Sequence, residues 1–177
     1  MGIRTVRTEG DECLRKVCKP VKSVSLRTRI LIEDMFDIMY ESGGVGLAAP
    51  QIGVLKRIVV MDTDDNQHVL INPQILEVSG EQTGYEGCLS IPGKSGIVTR
   101  PDYVKVKALN ERGEEYVLEG EGLLARCICH ECDHLDGILY SDKAEGGLIN
   151  NEDLPEDEEE ELYEDAYEEF TEEEIHK

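Results

Sequence analysis

The chain has 177 residues, a formal net charge of −21 and six cysteines, a length suited to one ordinary domain whose core needs no disulfide to hold it. Residues 1–150 carry 24 acidic against 17 basic side chains and residues 151–177 carry 15 against one lysine, so neither part is built to neutralise phosphate and direct nucleic-acid binding is not expected. The first residues lack the apolar centre of a secretory signal and no run approaches the ~18 apolar residues of a membrane span, so the expectation is a cytoplasmic protein, off the membrane, with reduced thiols.

In chain order, residues 11–20 suggest a short helix ended by Pro20. From Ser25, a plausible cap, Leu31, Met35 and Ile38 recur at helical spacing and Ile32, Phe36 and Met39 widen the stripe, until Gly43 and Gly44 stop the helix. GGVGLAAPQIG (43–53) is a loop of small residues. Strands are predicted at 56–62, 68–73 and 75–80, and again at 103–109 and 115–121 around the hairpin signature NERG. Residues 122–137 (GLLARCICHECDHLDG) return to helical period, and Gly137 fits the C-terminal position. Residues 146–155 read as a linker. Beyond them Leu162, Tyr163, Ala166, Tyr167 and Phe170 form one apolar stripe on an acidic helix, expected to pack on the body.

Residues 129–134, Cys-His-Glu-Cys-Asp-His, interleave a C-x-x-C with an H-E-x-x-H. On a helix His134 lies about 40° from His130, so both imidazoles can reach one ion, whereas Cys132 lies about 200° away and Cys129 about 100°. Glu131, about 60° from His134, can reach a water at that ion without ligating it. Two ligands are too few for a catalytic site. Cys88, between Gly87 and Leu89 in EGCLSIPG (86–93), is the better third candidate, and one thiolate with two imidazoles suits zinc or ferrous iron. Still open at this point are a protease of H-E-x-x-H type and a metal or redox sensor built on Cys127, Cys129 and Cys132. Plain packing remains the simplest role for Cys13, Cys18 and Cys132.

GVGLAAPQ (44–51), EGCLS (86–90) and HECDHLDG (130–137) resemble the three motifs of the peptide deformylases, in order and with similar separations. The resemblance covers residues 1 to about 150. It implies that Cys88, His130 and His134 hold Fe2+, with Zn2+, Ni2+ or Co2+ as substitutes. It also implies hydrolysis of the formyl group from N-formylmethionyl nascent peptides, releasing formate. Glu131 would then move the proton, and the Gln51 side-chain amide and Leu89 backbone N–H would stabilise the oxyanion. Backbone at Val45, Gly46 and Gly87 would pair with an extended peptide, and Val45, Leu123 and Cys127 would line the methionine pocket. Glu86 and Arg100 would brace the second motif or merely decorate the surface, and Asp133 would orient a ligand.

Two features depart from the family pattern. Cys129 stands where glutamine is common before the first motif-three histidine. The tail is acidic where some members carry a basic helix that docks on the ribosome, so any transient ribosome contact would lack that device. The expected fold is α+β: antiparallel β-sheets around a central metal-binding helix, with an N-terminal helix and an acidic C-terminal helix. Residues 1–150 would form the catalytic domain and 151–177 the helical tail.

Overall fold

The computed structural model describes residues 4–155. The tail helix expected beyond Pro155 lies outside the described residues. The first long helix, α1, runs Leu26–Glu41. Ser25 caps it in both directions: its hydroxyl accepts from the Thr28 N–H at 3.3 Å, and its own N–H donates to Thr28 Oγ1 at 3.4 Å. Among the described residues the strands are β1 (Gly46–Ala48), β2 (Ile58–Asp62), β3 (Gln67–Ser79), β4 (Gln82–Cys88), β5 (Ile91–Arg100), β6 (Tyr103–Leu109), β7 (Glu115–Glu121) and β8 (Glu145–Asn150). A second helix, α2, spans Gly122–Leu135.

The strands form two antiparallel sheets, ordered β1-β2-β3-β6-β7 and β4-β5-β8. Helix α1 covers one face of the larger sheet and α2 the other. β2 shows why the sequence demands this. Its side chains alternate faces, yet Ile58, Val59, Val60 and Met61 are all fully buried. Ile58 and Val60 pack with Met35 and Met39 of α1, while Val59 and Met61 pack with Ala125, Ile128 and Leu135 of α2. A strand apolar on both faces needs cover on both. Leu14, Ile91, Val98, Leu139 and Tyr140 form a third cluster with the smaller sheet. The result is the α+β fold expected, with α2 between the sheets.

Four local expectations change. Residues 11–20 hold only a 3₁₀ turn at Glu12–Arg15. The strands predicted at 68–73 and 75–80 are one strand, β3, kinked where Asn72 takes φ 52° and the pairing with β6 shifts register. The Asn72 side chain occupies that kink by bonding the Val21 N–H and C=O, both at 2.8 Å. The first half of the linker expected at 146–155 belongs to β8, paired with β5 from Lys94↔Asn150 onward. The β4–β5 hairpin was not anticipated at all, because glycines at 84, 87, 93 and 96 erase the alternation that marks a strand.

Candidate metal centre and active site

Three segments meet at the cleft between the sheets. β4 ends in Cys88, and Leu89 and Ser90 form the turn into β5. α2 carries His130 and His134 one turn apart, their ring centroids 5.0 Å from each other. The loop after α1 lays Val45 and β1 alongside α2. One donor atom from each of Cys88, His130 and His134 lies within 4.8 Å of the other two, and Cys88 Sγ is 3.3 Å from His134 Nε2.

The remaining atoms of these residues fit a ligand set. His130 Nδ1 meets Glu86 Oε1 at 2.5 Å, which places the ring proton there and leaves Nε2 free to ligate. Burial drives the His134 pKa well down, which favours the neutral imidazole that binds a metal. The soft thiol with two imidazoles matches the donor chemistry of zinc or ferrous iron.

Glu131 sits beside the donors, its Oε1 4.0 Å from His130 Nε2, and Oε2 is buried with no partner among the described residues. Burial pushes this carboxyl up to about 7 against the pull of His130. Gly46 is the reason the loop approaches so closely: a Cβ there would lie 2.7 Å from Glu131 Oε1 and 2.8 Å from Cys127 Sγ. Gln51 is clamped by its Oε1, which accepts from the Ala48 N–H at 2.9 Å. Its NH₂ therefore faces the site, donating to Ser90 Oγ at 3.1 Å and approaching Cys88 Sγ at 3.6 Å.

A cavity of about 620 Å³ opens over these groups, lined by Val45, Gly46, Gln51, Gly87, Cys88, Leu89, Leu123, Cys127, His130 and Glu131 among others. Every residue expected to bind substrate is on its wall. Val45 and Leu123, 46% and 42% exposed, offer it their apolar side chains. The cavity also touches two open sheet edges, β1 and β4, the edge strands of their sheets.

The bracing is buried, which excludes surface decoration as the role of Glu86 and Arg100, 6% and 3% exposed. Arg100 grips Glu86 with Nε at 3.1 Å and Nη2 at 2.7 Å. Burial alone would raise the Glu86 carboxyl, but hydrogen bonds from His130 and Arg100 outweigh it and hold the group far below the usual carboxylate range. Asp133 does not touch a donor residue as expected; it binds Arg100 Nη1 at 2.6 Å and Lys143 Nζ at 3.0 Å. It reaches His130 only through Arg100 and Glu86. Cys129 and Cys132 are buried outside the donor set.

Sequence reasoning missed Arg126 and Tyr140. Arg126 Nη1 donates to Glu86 Oε2 at 2.7 Å and to the Val98 C=O at 3.1 Å. Its signal was visible: an arginine four residues before His130, on the same face of the helix. Tyr140 stacks on the His130 ring at 5.9 Å, a contact from a separate 3₁₀ turn that no local pattern announces.

A Cys-His-His cluster with both histidines buried, beside a desolvated glutamate at the base of a cleft, defines a hydrolase of H-E-x-x-H type. The family model described as polypeptide deformylase matches residues 3–147. The chain is 60% identical over 148 residues to a peptide deformylase of Agathobacter rectalis, covering 84% of this chain and 94% of that protein. To a peptide deformylase of Lachnoclostridium phytofermentans it is 54% identical, covering 90% and 100%. Its fold superposes on the crystal structure of peptide deformylase from Thermotoga maritima with TM-score 0.79 and 41% identity, over 82% of this chain and 99% of that one. The peptide deformylase of Synechococcus elongatus, solved in complex with actinonin, gives TM-score 0.79 and 42% identity, over 81% and 79%. The chain belongs to the polypeptide deformylase family. Removal of the N-formyl group from nascent peptides is the activity that this membership carries.

Proposed function

We propose that Cys88, His130 and His134 hold a divalent ion, Fe2+ by resemblance to the family, and that the cleft above them deformylates N-formylmethionyl peptides in the cytoplasm. One observation carries this reading: three donors converge within 4.8 Å beside an unpartnered carboxylate. An ion of this class acidifies water and polarises a carbonyl. The residues of the chain do the rest. Glu131 takes a proton from the attacking water and passes it to the departing amine as the C–N bond breaks, so formate and a free amino terminus leave. The clamped Gln51 NH₂ and the Leu89 N–H stabilise the negative charge that develops on the formyl oxygen. Val45, Leu123 and Cys127 receive the methionine side chain, and backbone at Val45, Gly46 and Gly87 pairs with the extended peptide.

The test is formate release from formyl-Met-Ala-Ser by protein loaded anaerobically with iron, cobalt, nickel or zinc. Turnover is expected, with Gln51→Ala lowering kcat about 10²–10³-fold. Absence of formate from every loaded form would sink the reading. The domain split proposed with it places catalysis in residues 1–150. Docking on a ribosome through tail charge forms no part of it, because residues 151–177 are strongly acidic.

A further inference from the structure

Neither proposed oxyanion donor sits in a long element. Gln51 belongs to a 3₁₀ turn, Ala49–Ile52, and Leu89 with Ser90 to the turn between β4 and β5. One link between these turns is the bond from Gln51 Nε2 to Ser90 Oγ. A second link runs through the start of the chain. The Arg7 N–H donates to the Gln51 C=O at 2.6 Å, and the Glu9 N–H donates to the Ser90 C=O at 2.8 Å. Gln51 and Ser90 are 1% and 0% exposed. Along an extended chain, N–H groups two residues apart point the same way, which lets residues 7–9 bridge the two turns. The segment is itself held at both ends. Arg4 Nε lies 3.7 Å from Asp34 Oδ2 on α1. Past the bridge, the Cys13 thiol donates to the Pro50 C=O at 3.4 Å, and Leu14 is buried in the cluster of Ile91, Val98, Leu139 and Tyr140. Between these anchors Val6 reaches the cavity wall.

We infer that residues 7–9 are a positioning strap for the oxyanion site. Their two N–H groups fix the Gln51 and Ser90 carbonyls relative to each other and so aim the Gln51 NH₂. The strap touches no reacting atom and acts through Gln51. One N–H of that amide goes to Ser90 Oγ, so the direction of the other depends on where Ser90 stands. With the side-chain bond alone the two turns could slide past one another; the strap closes them into a ring. Such a donor works only where it is held, since a misplacement of about 1 Å can cost 10²-fold in rate.

The inference rests on the deformylase reading, which wild-type turnover of formyl-Met-Ala-Ser tests by itself. Proline has no N–H, so Arg7→Pro removes the bond to Gln51 while Arg7→Ala keeps it. In the full-length, metal-loaded protein, Arg7→Pro should lower kcat about tenfold, with KM within about twofold and metal per chain unchanged. Arg7→Ala should match wild type. In a Gln51→Ala background the same proline should lower kcat by less than about twofold, because the group it aims is gone. A wild-type kcat in Arg7→Pro overturns the strap, as does an equal loss in both backgrounds or in Arg7→Ala. Should urea denaturation show that Arg7→Pro does not fold, Glu9→Pro and a chain restarted with Met before Gly10 carry the same test. Each should lose kcat at unchanged metal content, and a wild-type kcat in either overturns the inference.

Discussion

α1 and α2 cover opposite faces of one sheet with 16 and 14 residues, but they bury different things. The hidden face of α1 is Leu31, Ile32, Met35, Phe36 and Met39, with Thr28 the one polar member. α2 hides Ala125, Ile128 and Leu135 together with Arg126, His130, Glu131 and His134, each 8% exposed or less. Packing alone can place α1. A helix that buries four ionisable groups needs partners for them, and for Arg126 and His130 the partner comes from the other sheet: Glu86 on β4, itself gripped by Arg100 on β5. The Glu86 carboxylate binds Arg100, Arg126 and His130 at once. Two atoms on α2 stay unpartnered among the described residues, Glu131 Oε2 and His134 Nδ1. Reactivity is concentrated at that end of the helix, and the rest of the polar network holds it in place.

The sharpest way to break this contrast is at Glu131. Glu131→Ala should lower kcat for formyl-Met-Ala-Ser by about 10²–10⁴-fold, while metal per chain and the far-ultraviolet dichroism stay as in wild type. A variant that keeps its rate would show that the unpartnered carboxylate has no part in the chemistry. Glu86 comes next, and its effect should fall on both the fold and the ion. Glu86→Ala takes from Arg126 its carboxylate partner and leaves Arg100 with Asp133 alone, and breaking a buried pair destabilises by about 3–5 kcal/mol. Loss of the His130 Nδ1 acceptor should also weaken metal binding about 10–100-fold in a chelator competition. Urea denaturation reads the first effect, and retained wild-type stability would show that the network is decorative.

The same contrast explains what could be read from the sequence. α1 was legible because a cap, an apolar period and a glycine stop all agree. His130, Glu131 and His134 were legible because they share one helix, where the turn angle alone sorts the side chains. Cys88 was reached from its glycine neighbour and the donor chemistry, and the resemblance of the ordered motifs added Gln51 and Leu89, whose spacing along the chain says nothing of their nearness. The smaller sheet was not legible: glycines hide β5, and β8 contains two glycines that read as a linker. Arg126 and Tyr140 were missed because their meaning lies in contacts with Glu86 and His130, made across elements far apart in the chain.

On α1 the expected effects are smaller and confined to stability. Met35 is fully buried between α1 and the sheet, so Met35→Ala should cost about 2–5 kcal/mol, the range for such truncations. The kcat/KM of the folded fraction should stay near wild type, because the buried face of α1 packs on the sheet and carries none of the three donor residues. A comparable loss of kcat would show that the two faces of the sheet are coupled.

The smallest effect belongs to the cap. Ser25→Ala removes the oxygen that accepts from the Thr28 N–H, and losses of this kind run to about 1 kcal/mol. For a chain of this size that is about 2–4 °C in Tm. Thr28 Oγ1 keeps the Ser25 N–H as its donor, so half of the reciprocal pair survives and the loss should not exceed that figure. Thermal unfolding followed by dichroism at 222 nm checks it. A larger drop, or one accompanied by reduced metal binding, would mean that the start of α1 reaches further into the site than packing through β2 allows.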